Sequence, residues 1–181
     1  MRSQRPTTLP GLAMLLLGLG TTPTPSHGQA ASPAPPTCDA PAYRQFDFWI
    51  GDWNVTTARG QAGTNLVTLE ESGCLVHEHW QGARGGTGQS FNFFDRADHH
   101  WHQVWVSSTG SVLRFTGDYQ DDRLVYSGER AGPGGTTVRD RLTFFRKADG
   151  TVRQLWETSG DGGQRWQTVF DGLYAKRPAE R

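Results

Sequence analysis

From Trp53 onward apolar and polar residues tend to alternate, in short runs broken by Gly, Asp, Asn and Ser. A period of two is the mark of a half-buried strand, and these breaks are turn chemistry. The pattern predicts strands over residues 53–58, 64–71, 74–80, 89–95, 100–106, 111–119, 123–130, 137–146, 152–159 and 165–174. No segment after Val55 carries a helical period. Ten short strands with hairpin-length links predict an all-β fold, a ten-stranded antiparallel up-and-down β-barrel, with an open sandwich as the alternative. Closure removes the sheet edges that would otherwise pair between molecules.

Ahead of the strands stands Phe46-Asp47-Phe48-Trp49-Ile50-Gly51-Asp52-Trp53. Four aromatics and an Ile in so short a stretch predict a plug on one end of the barrel, with Gly51 turning the chain into the first strand.

One pattern recurs along the strands, a polar residue two positions before a Trp: Glu78-x-Trp80, Gln103-x-Trp105, Gln154-x-Trp156 and, at a strand start, Gln164-x-Trp166. Residues two apart share a strand face. Asn92 with Ser90, and Arg141 with Thr143, can be phased onto the same face. With that face inward, Glu78, Trp80, Asn92, Gln103, Trp105, Arg141, Gln154 and Trp156 line a pocket for a flat, partly polar ligand, and Glu78 and Arg141 can form a buried pair. The opposite parity collects Phe91, Phe93, Val104, Val106, Leu142, Phe144 and Leu155, and would make the Trp face an exposed recognition surface. The inward reading is preferred. It leaves an apolar outer face to be covered by the leader or by a second copy in a homodimer. The plainer account of the repeated pattern is core packing, amides satisfying indole N–H groups.

Five histidines fall at His77, His79, His99, His100 and His102. His77-x-His79 and His100-x-His102 each offer half a zinc or copper site. No HExxH or Cys-based motif accompanies them and no proximal haem ligand is identifiable, so neither metal nor cofactor is assigned. Gly-x-Ser-x-Gly is missing, and Arg84-Gly85-Gly86-Thr87-Gly88 lacks the Lys-Ser/Thr of a phosphate loop. The expectation is a non-catalytic binder of a small molecule. The alternatives are an enzyme using Glu78 and Arg141 as polar catalytic groups, and a structural or interaction module with a filled core.

The 181 residues carry 18 Lys+Arg and 18 Asp+Glu, with no basic stripe, which excludes an ordinary nucleic-acid binder. Only 35% of the chain is hydrophobic, yet it contains 7 Trp, 4 Tyr and 9 Phe, so burial rests on aromatics. Residues 1–30 read as a secretory signal peptide: Arg2 and Arg5, an apolar run at 11–20, and Gly28-Gln29-Ala30 before the cut. That run is too short to span a bilayer, so no membrane anchor is expected after cleavage, and the location is periplasmic or secreted. Residues 31–42 form a Pro-rich leader, 43–175 the barrel domain, and 176–181 a charged tail. In an oxidising compartment the two cysteines, Cys38 and Cys74, are most simply one disulfide, worth roughly 3–4 kcal/mol for a loop of this length.

The opening Phe46–Trp53 stretch resembles an uncharacterised bacterial family of lipocalin-like secreted domains. So do Ser90-Phe91-Asn92-Phe93-Phe94-Asp95, Trp101-His102-Gln103-Val104-Trp105-Val106, Val152-Arg153-Gln154-Leu155-Trp156-Glu157-Thr158-Ser159, and the ending Phe170-Asp171-Gly172-Leu173-Tyr174. The resemblance spans about residues 43–175. It implies a calycin-type barrel and export rather than any reaction. From Gly51-Asp52-Trp53 it also implies that Trp53 closes one barrel end under a basic side chain, Lys176 or Arg177.

Overall fold

The computed structural model describes residues 37–178. The signal-peptide reading, residues 31–36 of the leader and residues 179–181 of the tail lie outside them. Ten strands follow in chain order: β1 Gly51–Thr57, β2 Gly60–Glu70, β3 Leu75–Gly82, β4 Thr87–Asp95, β5 His100–Ser107, β6 Val112–Gln120, β7 Arg123–Ala131, β8 Thr137–Arg146, β9 Val152–Ser159 and β10 Gln167–Lys176. Each pairs antiparallel with its chain neighbours, and β1 pairs with β10, so the sheet is a closed barrel rather than an open sandwich.

The strands lie close to the runs of alternation, with two differences of consequence. The last strand begins at Gln167 because Asp161 gathers the preceding loop, accepting from the Gln164 and Arg165 amides at 3.1 and 2.9 Å. It ends at Lys176, so this residue is a barrel residue and not part of a tail.

Before β1 the chain makes two 3-10 turns, Pro41–Arg44 and Asp47–Trp49. The second is the plug. Phe46, Trp49 and Trp53 are each fully buried. Phe46 stacks on Trp49 at 4.9 Å, and both meet Phe144, at 5.0 and 4.5 Å. The Trp53 indole donates to Trp49 O at 2.9 Å, tying plug to strand. Lys176 lies 4.0 Å over the Trp53 ring and donates to Ile50 O at 2.5 Å, which identifies the basic partner. Gly51 has φ +153°, and a Cβ there would fall 1.9 Å from Lys176 Nζ, so the turn and the cap both need glycine. Cys38 and Cys74 form the disulfide, which fastens the segment before the plug to the start of β3.

Candidate ligand-binding site

Cross-strand pairing decides which face is inside, because directly opposed residues point the same way. Asn65 opposes Trp80, Ser90 opposes both Glu78 and Trp105, and Asn92 opposes Gln103. Trp156 opposes Leu142 on one side and Phe170 on the other. The Trp-bearing face is therefore the lumen. Phe91, Phe93, Val104, Val106 and Leu155 lie on the outer face, where Phe91 and Val106 are each 47% exposed.

On β8 the expected phase is reversed. Leu142 and Phe144 are the inward residues, 3% and 0% exposed, and Arg141 and Thr143 point out. Arg141 opposes Glu157, donates to it at 2.8 and 3.0 Å, and lies 4.4 Å over Trp166. It does not reach Glu78, and the Glu78–Arg141 pair does not exist. Polar residues alternate on both faces of β8, so polarity alone could not phase it. Asp140, 3% exposed, is its inward polar residue. Trp166 sits in the loop before β10, and the Gln164-x-Trp166 repeat is thus outside the lumen.

Above the plug the lumen holds a polar layer centred on Glu78, which is 5% exposed. Its two oxygens accept from Asn65 Nδ2 at 2.8 Å and Ser90 Oγ at 2.6 Å. Burial outweighs these donors and raises its pKa to about 7. Asn92 is fully buried and lies beneath this layer, donating to Ser90 Oγ and Val76 O and accepting from Gln103 Nε2 at 2.8 Å. It positions Gln103. Opposite, Tyr174 donates to Gln154 Oε1. Among the described residues, Asn65 Oδ1 is buried without a hydrogen-bond donor.

A cavity of about 240 Å³ occupies the end of the lumen opposite the plug. Glu78, Gln103 and Gln154 form its floor, and Trp80, Trp105 and Trp156 its walls. Of the eight residues expected there, these six meet in one place. The sequence reading missed Leu113, Phe115, Phe170 and Tyr174, which also line it. Pairing with recognised positions could have found three of them: Leu113 opposes Trp105, Phe115 opposes Gln103, and Phe170 opposes Trp156.

Three strand glycines keep this end open. A Cβ on Gly88 would lie 2.2 Å from the Trp105 ring, one on Gly63 2.9 Å from Trp80, and one on Gly172 2.4 Å from Phe170. Each ring lies over a glycine, against the wall, where a side chain would otherwise stand. Trp156 is held differently: its indole donates to Asp140 at 2.8 Å, and Asp140 is ion-paired with Arg130 at 2.8 Å.

The five histidines among the described residues are all away from the lumen. On the outer face Glu70, His77 and His79 bring ligand atoms within 4.8 Å of one another, as do Asp95, Asp98 and His102 near the β4–β5 turn. His77 is bonded to Glu70 at 3.1 Å and to Gln89 at 3.0 Å; His102 to Asp98 at 2.9 Å; and His100 to Asp118 at 2.8 Å. Among the described residues no helix is long and apolar enough to cross a membrane. No protein-family model matches the chain, and no curated protein is significantly similar to it.

Proposed function

We propose that this chain is an exported, non-catalytic small-molecule binding protein of the lipocalin-like type, its ligand held in the Trp- and Gln-lined barrel cavity. The observation that carries the reading is the open end of the lumen, where glycines hold rings to the wall around a polar floor. A filled-core module has no need of such a space. The volume, about 240 Å³, falls below the usual 300–1,000 Å³ for drug-sized ligands, so the cargo is compact. The catalytic alternative relied on Glu78 and Arg141 together, and they occupy opposite sides of the wall. Export is supported by the signal-like residues 1–30 and is compatible with the Cys38–Cys74 disulfide.

The test is native mass spectrometry of the full chain expressed with its own leader and recovered outside the cytoplasm. The expected polypeptide begins at Ala31 and carries extra mass that is lost on denaturation. Gly88→Ala, which forces the Trp105 ring toward the lumen, is expected to lose that mass while keeping its β-sheet circular dichroism. A bare mass together with indole fluorescence unmoved by metabolite extract would overturn the binding reading, and retention of residues 1–30 in the cytoplasm would overturn export.

A further inference from the structure

The described residues that line the cavity include one carboxyl group and no Lys, Arg or His. Glu78 is held by Asn65 and Ser90, both neutral. An ionised buried carboxylate is costly without a countercharge, and the described residues that line the lumen supply none. His77 is on the other face of β3, engaged by Glu70 and Gln89. Arg141 is outside with Glu157, and Arg130 is spent on Asp140. From β10 the titratable neighbour is Tyr174, whose hydroxyl is directed to Gln154. Beside Glu78, Asn65 Oδ1 is a further acceptor with no donor among the described residues. The walls are of the same sign. Indole faces are electron-rich and attract cations, most strongly when water is excluded. The carboxylate of Asp140 on the Trp156 N–H pushes more electron density into that ring.

We propose that the ligand is a small organic cation, an amine or alkylammonium, whose charged end meets Glu78 and whose alkyl groups lie against Trp80, Trp105 and Trp156. This rests on the reading of the cavity as a small-molecule site. Anions meet a floor and walls of their own sign. A neutral ligand gains nothing from the charge of Glu78, which then holds a proton. Since Glu78 titrates near 7, a cation binds the ionised form and expels a proton, so affinity rises with pH through neutrality.

The experiment is calorimetric and fluorescence titration of the full chain at pH 6 and pH 8. The cationic probes are choline, benzyltrimethylammonium and benzylamine; 3,3-dimethylbutan-1-ol is the neutral isostere of choline, and 3,3-dimethylbutanoate is the anion. At least one cation is expected to bind tenfold or more tighter than the alcohol at pH 8, and about tenfold weaker at pH 6, the change in ionised Glu78 for a pKa near 7. Glu78→Gln should abolish both the preference and the pH dependence. Trp156→Leu keeps apolar bulk, removes a π face, and should weaken the cation about tenfold while sparing the alcohol. If the alcohol or the anion binds as well as the cations, or Glu78→Gln leaves cation affinity intact, the charge assignment falls and the carrier reading stands. If no probe binds and the native mass is bare, both fall.

Discussion

At the plug end of the barrel Trp49 and Trp53 are wholly buried, Trp49 against Phe46 and Phe144 and Trp53 against Tyr174 and bonded to Trp49 O, whereas at the open end Trp80, Trp105 and Trp156 are only partly buried. The two groups have the same chemistry and sit in the same lumen. What separates them is the material around them: ring against ring at one end, and at the other Trp80 and Trp105 against glycine and Trp156 tied to Asp140. Between the two lies the Glu78–Asn92 layer, whose hydrogen bonds fix the boundary. An aromatic-rich chain can thus spend some rings on stability and leave others available.

The largest break in that comparison is expected from the plug. Trp49→Ala should cost about 3–5 kcal/mol, the usual range for emptying a fully buried Trp site, while Trp105→Ala, at a partly buried site, should cost roughly 1–2 kcal/mol. Guanidinium unfolding of the two variants checks the contrast, and equal losses would mean that the open end is as structural as the plug.

Next comes the polar layer. The folded pKa of Glu78, about 7, lies above the ordinary value of 4.5 for such a carboxyl. Between these values the folded state holds a proton that the unfolded state has released. Its contribution is therefore fully present below pH 4.5 and is lost as pH rises toward and through 7, by on the order of 3 kcal/mol. Urea unfolding of wild type and Glu78→Gln across pH 4–8 isolates this contribution: the difference between them should slope in that window and be flat outside it. The smallest effect is expected at the cap. Lys176→Met loses the contact over Trp53 and the bond to Ile50 O, about 1 kcal/mol, read as a lowered thermal midpoint with ligand binding unchanged.

The strands were legible because alternation and turn residues agree along most of the chain. The Trp-bearing face was legible because Glu78, Gln103 and Gln154 each repeat the same spacing to a Trp. Arg141 was misplaced because β8 carries Arg139, Asp140 and Arg141 in succession, and hydrophobicity cannot choose which is inward. Its phase comes from Leu142 facing Trp156 across the pair, a relation between strands that no single segment contains. The glycines beneath Trp80, Trp105 and Phe170 are invisible for a similar reason. Gly88 is far from Trp105 in sequence, and a strand glycine reads as a weakness until the ring above it is known.

The seam between β1 and β10 has a consequence for the order of folding. Lys176 and Ile50, which meet there, are 126 residues apart in sequence. A chain that lacks residues 167–176 has neither the closing strand nor the cap on Trp53, so the ring cannot shut until β10 has been made. Contacts this distant in sequence form slowly. Closure of the seam is therefore expected as the late, cooperative step, with the nine preceding strands waiting as an open sheet for the tenth.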